Sequence, residues 1–244
     1  EHTPKNIMIR AIYNGQKTGV MHACGHDTHV AILMGVAEVL SSMKNDLAGT
    51  VKFCFQPAEE GAPAGEEGGA DLMIKQGVME NPKVDVAFGL HINSQTNVGQ
   101  IRYRSGPEMA AADTYTLKIK GKQTHGASPW SGVDPIVTGS QIVMAYQTII
   151  SRNVDITENP AIVTIGAFNA GIRSNIIPEE ATMIGTIRTF SETQQKLIHR
   201  RMQEIATNIA ESAGATADLK INIGVPVTYN DPTLTEKMVP TLTA

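Results

Sequence analysis

The chain has 244 residues, of which 41% are hydrophobic and 18% charged, so it can bury its own core and is not a disordered segment. A formal net charge of −4 argues against a nucleic-acid or anionic-membrane surface, since both need a basic face. Two cysteines, Cys24 and Cys54, exclude a disulfide scaffold and fit a reducing, cytoplasmic compartment, and no apolar run reaches the ~18 residues of a membrane span.

The first half alternates short apolar stretches with helical ones. Residues 7–12 (IMIRAI) predict a strand. Residues 28–44 predict a helix, because Ile32, Val36, Val39, Leu40 and Met43 recur at helical spacing, with Asp27 or Thr28 as its cap. Residues 50–55 (TVKFCF) predict a strand with Cys54 as a small core residue, 69–76 a short helix and 84–92 (VDVAFGLHI) a further strand. Strand and helix in alternation predict a mostly parallel sheet with covering helices.

The pattern changes near Gly106-Pro107. Residues 114–120 (TYTLKIK) alternate as a half-solvated antiparallel strand does. A helix over 135–150, strands over 161–168 and 181–189, a helix over 192–213 stopped by Gly214, and a strand over 219–225 follow. That βαββαβ order is the ferredoxin-like arrangement. The chain is therefore expected to hold an α/β catalytic, metal-binding domain (1–106 and 228–244) with an inserted α+β lid or dimerisation domain (107–227). Only residues 228–244 remain after the insert, too few to complete a closed sheet, so a fragment or omitted segments are expected.

Three groups of metal-type ligands fall at comparable places in the first half. His22-Ala-Cys24-Gly-His26-Asp27 precedes a helix, Gln56-Pro-Ala-Glu59-Glu60-Gly61 follows a strand, and His91 ends the next strand. Ligands of an open parallel sheet bind at the carboxyl ends of its strands, so these loops are expected to bring Cys24, His26, Glu60 and His91 together. Thiolate, imidazole and carboxylate in one set suit zinc or a similar divalent transition metal. Taken singly, each has a plainer reading: Glu59-Glu60 as a solvated loop pair, Arg188 as a solvated strand residue, Asn175 as a turn residue, and His29 and His199 as structural.

The motifs HACGHD (22–27), QPAEEG (56–61), GLH (89–91), THGASP (124–129), SNIIPEEA (174–181) and GTIRTF (185–190) occur in one order. In this the chain resembles the metal-dependent amidohydrolases that include hippurate hydrolase, N-acyl-amino-acid amidohydrolases and auxin-conjugate hydrolases, within the aminoacylase and glutamate-carboxypeptidase superfamily. The resemblance implies hydrolysis of the amide of an N-acyl or N-aroyl amino acid. It implies two divalent metals per active site (Zn, Mn, Co or Ni) and a homodimer formed through the second domain. It assigns Cys24 as bridging ligand, His26, Glu60 and His91 as further ligands, and Glu59 as general base. His125, Asn175 and Arg188 then line the substrate side, with His125 reaching the partner subunit's site.

Two departures qualify it. The family's acidic Ala-Leu-Pro segment is missing after Arg10-Ala11, and the chain ends before the family's final His ligand. The ligand set as given is thus expected to be partial and to hold at most one metal tightly. A dipeptidase or carboxypeptidase on the same scaffold, or a catalytically silent fragment, are the competing readings.

Overall fold

Residues 24–62 and 65–242 are described by a computed structural model, a mixed α/β chain. The predicted strand over 7–12, and His22 with it, lie outside the described residues. The chain divides into two compact units, Glu1–Gln100 and Ile101–Ala244.

In the first unit, helix α1 spans His26–Ser42. Its cap is not Asp27 or Thr28 but Gly25, which sits in the left-handed region at φ 80°. Asp27 and Thr28 fall inside the first turn, and the Thr28 hydroxyl donates to the Gly25 carbonyl at 2.6 Å. The apolar stripe Ile32, Val36, Val39 and Met43 stays exposed. Helix α2 spans Gly69–Lys75 and carries an exposed Asp71–Lys75 ion pair at 2.9 Å, which solvent screens.

The expected strands over 50–55 and 84–92 are not paired: among the described residues neither stretch has a ladder partner. A strand owes its definition to hydrogen bonds from a neighbour, and here a side chain does the joining instead. Lys52 Nζ donates to the carbonyls of Val78, Glu80 and Pro82 at 2.8, 2.6 and 3.0 Å, which uses all three ammonium protons and staples this stretch to the turn after α2. Cys54 is exposed rather than a core residue, because no sheet face encloses it among the described residues.

In the second unit β1 (Gly106–Met109), β2 (Ala111–Lys120), β3 (Thr124–His125), α3 (Pro135–Thr148), β4 (Ala161–Ala170), β5 (Ile176–Ile177), β6 (Glu180–Thr189), α4 (Glu192–Ser212), β7 (Thr216–Val225), β8 (Thr228–Asn230) and α5 (Pro232–Leu242) follow in order. Strands β2, β4, β6 and β7 form one antiparallel sheet in the order β4-β6-β2-β7, with Ala111 opposite Thr189 and Lys120 opposite Glu180. Together with α3 and α4 this is the βαββαβ order and the strand arrangement of a ferredoxin-like unit.

Period-2 burial explains the layering. Tyr115, Leu117 and Ile119 of β2 point to one face, and with Met183 and Ile187 of β6 they pack against Ile142 and Tyr146 of α3 and Ile198 and Met202 of α4. The helix ends follow from local chemistry. Asp134 accepts from the Ile136 and Val137 amides at 2.8 and 3.2 Å, with Pro135 at the first helical position. Gly214, at φ 74°, closes α4: its amide bonds Glu211 O, and the Ala215 amide bonds Ala210 O.

Asp113 is buried on the helix-facing side, where its carboxylate accepts from Gln195 Nε2 (2.7 Å), His199 Nε2 (2.8 Å) and the Gly224 amide (3.2 Å). One carboxylate thus ties β2 to α4 and β7.

Two features lie beyond the sequence expectation: strand β3 pairs with β5, and β1 pairs with β8. The β1–β8 ladder, with Gly106 opposite Asn230, brings the two ends of the 107–227 segment side by side. No helix among the described residues is long and apolar enough to cross a membrane.

Candidate metal centre

Three loops of the first unit converge. Cys24 and His26 flank the Gly25 cap, so both project from the start of α1. Glu59 and Glu60 occupy the centre of a turn closed by the Gly61 amide on the Ala58 carbonyl at 3.1 Å. Neighbouring central residues of a turn diverge, which lets two adjacent carboxylates meet different atoms. Glu59 Oε2 lies 3.4 Å from His26 Nδ1, and Glu60 Oε1 lies 3.8 Å from His26 Nε2. His91, from the third loop, puts its Nε2 3.4 Å from Cys24 Sγ.

Two overlapping triads result: Cys24, His26 and His91, and His26, Glu59 and Glu60, each with ligand atoms within 4.8 Å of one another. His26 belongs to both. One triad offers sulfur and nitrogen, the other nitrogen and oxygen, and both donor sets fit a borderline divalent cation such as zinc.

The tautomer of His91 is set locally. Its Nδ1–H donates to the Ile92 carbonyl at 2.6 Å, which leaves the Nε2 lone pair facing Cys24. A third imidazole, His29, stands beside them, with ring centroids 4.6 Å from His91 and 5.2 Å from His26. Burial, then His91 and His26 as potential like charges, holds the His29 imidazole below its ordinary pKa. From its residue type alone His29 reads as a structural histidine. The signal that marks it is spacing: three residues beyond His26 on a helix is the same face.

The remaining site candidates lie in the second unit. The β3–β5 pairing puts His125 opposite Ile176, and the Gly126 amide donates to the Asn175 carbonyl at 2.8 Å, so His125 and Asn175 sit together. His125 Nδ1 accepts from the Ala127 amide at 3.1 Å; a neutral ring there carries its proton on Nε2, free to donate. Arg188 lies between Ala112 and Ile162 across the sheet, on the face opposite the helices. Its Nη1 donates to the Ile187 carbonyl at 3.1 Å and to the Asp113 carbonyl at 3.5 Å, which leaves Nε and Nη2 for another partner. No described contact joins Arg188 to His125 or Asn175.

Comparison with known proteins agrees with the donor chemistry. The chain is 40% identical over 212 residues to an N-acyl-L-amino acid amidohydrolase of Geobacillus stearothermophilus, covering 87% of this chain and 55% of that protein. It is 39% identical over 233 residues to thermostable carboxypeptidase 2 of Saccharolobus solfataricus, covering 95% and 58%. Among solved structures it resembles the Bacillus subtilis YXEP protein, described as a dinuclear metal-binding peptidase, with a TM-score of 0.74, 34% identity, and coverage of 93% of this chain and 56% of that one. The chain thus spans about half the length of the curated relatives it matches. The match to Peptidase family M20/M25/M40 runs over residues 10–244, nearly the whole sequence, and the chain belongs to that family.

Proposed function

We propose that the protein hydrolyses the amide bond of N-acyl or N-aroyl amino acids at a divalent-metal centre held by Cys24, His26, Glu60 and His91, with Glu59 as general base. The single observation that carries this reading is the pair of triads sharing His26, with a second carboxylate left beside the ligand set. When bound, a divalent cation in such a set supplies Lewis acidity toward the amide carbonyl and toward water. Glu59 takes the proton of the attacking water and returns it to the leaving amine. His125, its proton on Nε2, donates to the developing oxyanion, and Asn175 steadies the same loop pair. Arg188 pairs with the free carboxylate of the substrate, which suits the forked geometry of a guanidinium.

In the same proposal, residues 1–106 and 228–244 form a mostly parallel-sheet catalytic domain, and 107–227 form a lid that pairs with its copy in a cytoplasmic homodimer. Support for the insertion comes from the β1–β8 ladder, since entry to and exit from a compact insert are adjacent there. The outer strands β4 and β7 leave sheet edges open to pairing. Light scattering at tens of micromolar is expected to read a dimer; a monomer would refute the pairing.

The test of the activity is a substrate panel. The metal-free full-length protein is reconstituted with zinc, manganese or cobalt and offered hippurate, N-acetyl amino acids and dipeptides. Release of the free amino acid from the N-acyl compounds, absent without metal, is the expected result. Cleavage confined to dipeptides assigns the carboxypeptidase or dipeptidase reading instead, which the likeness to carboxypeptidase 2 favours. No hydrolysis with any metal assigns a silent scaffold.

A further inference from the structure

We propose that His29 is a positioning residue of the metal centre: it grips the Ile92 peptide and, through it, sets the ligating orientation of His91. The inference rests on the reading of Cys24, His26 and His91 as metal ligands, and it adds a residue that touches none of the chemistry directly.

Three observations converge on Ile92, and a fourth joins the two imidazoles. The Ile92 amide donates to His29 Nε2 at 2.9 Å, while its carbonyl accepts from His91 Nδ1 at 2.6 Å. One residue is therefore held at both polar groups, on one side by helix α1 and on the other by the ligand whose tautomer it determines. The His29 and His91 rings also meet edge to face, at 74° between planes, which limits tilting of the His91 ring. Finally, Gly25 admits Ile92 at close range. A Cβ at Gly25 would stand 2.8 Å from Ile92 Cγ2, and its φ of 80° is strained for any other residue.

The physical consequence follows from the order of the links. His26 and His29 share one face of α1, so the helix that presents His26 also fixes, through His29 and Ile92, where His91 Nε2 points. Without the acceptor on His29 the Ile92 amide turns to water. Its carbonyl then no longer has a fixed direction, and the Nδ1–H tautomer of His91 loses its anchor. Partners of this kind commonly set metal affinity by 10–100-fold.

The experiment compares His29→Leu with His29→Gln in the full-length protein. Leu fills the ring's volume without an acceptor, whereas the Gln carbonyl reaches the place of Nε2 and accepts the Ile92 amide. Two readouts avoid activity altogether. Calorimetric titration of the metal-free protein with Zn²⁺ gives affinity, and ¹⁵N imidazole NMR gives the His91 tautomer before any metal is added. His29→Leu is expected to weaken zinc binding by roughly 10–100-fold and to lose the single Nδ1–H tautomer, with His29→Gln within about threefold of wild type. Wild-type affinity and tautomer in the Leu variant, or equal impairment in both variants, overturns the proposal. If the Leu variant fails to fold, His29→Asn, whose amide is too short to reach Ile92, is read in its place with the same expected result. Cys24→Ala separates this inference from the reading beneath it: unchanged zinc affinity there refutes the metal centre itself. Lost affinity in Cys24→Ala with none lost in His29→Leu refutes only the positioning role.

Discussion

Glu59→Gln is expected to lower kcat by roughly 10²–10⁴-fold while the metal content of the protein stays near its wild-type level. Glu59 and its neighbour Glu60 meet opposite nitrogens of His26, so only one of them shares the Nε2 side. The amide keeps the shape of the carboxylate beside His26 Nδ1, but it has no basicity with which to take a proton from water. Rate and metal content measured on one preparation decide the case. Retention of more than about a tenth of the rate removes Glu59 from the base role. Metal lost in step with rate makes it a ligand instead.

The second large effect concerns stability rather than turnover. Asp113→Ala is expected to destabilise the second unit by about 2–3 kcal/mol, because it removes a buried carboxylate that accepts from three partly exposed donors. Gln195, His199 and the Gly224 amide come from α4 and β7, so the loss loosens both elements from the central strand at once. Thermal unfolding followed by circular dichroism should show a Tm lower by roughly 10 °C or more. Asp113→Asn, which still accepts from Gly224 but presents an NH₂ group to both Gln195 and His199, should fall between wild type and the Ala variant. A Tm within about 2 °C of wild type for the Ala variant would show that this cluster contributes nothing to the fold.

Much of the second unit was legible in the sequence because each of its elements carries its own period. Alternation in 114–120, 161–168 and 181–189 marks one buried face per strand, and the boundaries observed differ from those expected by a few residues at most. The helices are bounded by Asp134 and Ser191 at their starts and by Gly214 at the end of α4, all local signals. Short pairings such as β3–β5 and β1–β8 carry no period, since two to four residues cannot show one, and so they escaped. Asp113 escaped for a related reason: nothing about an Asp at the head of a strand states that α4 and β7 will close over it.

The candidate metal centre was legible as chemistry and not as geometry. Residue types by themselves singled out Cys24, His26, Glu60 and His91, because thiol, imidazole and carboxylate recurring in three loops is an uncommon coincidence, while Glu59 took its expected role from the family resemblance. The order of the motifs determined the family resemblance as well. What only the tertiary structure decided is how those side chains face one another. That His26 is shared by two triads and that His91 Nε2 faces Cys24, 67 residues away, are facts of how distant loops meet, whereas the Ala58–Gly61 bond that splits Glu59 from Glu60 is local to its turn. The same holds for the stretches over 50–55 and 84–92. Their composition reads as strand, yet a ladder needs a neighbour's amides and carbonyls, and in the described residues a lysine side chain supplies the joint that a strand was expected to make. Periodicity and residue chemistry are local properties and can be read along the chain; pairing and ligand direction arise only where distant segments meet.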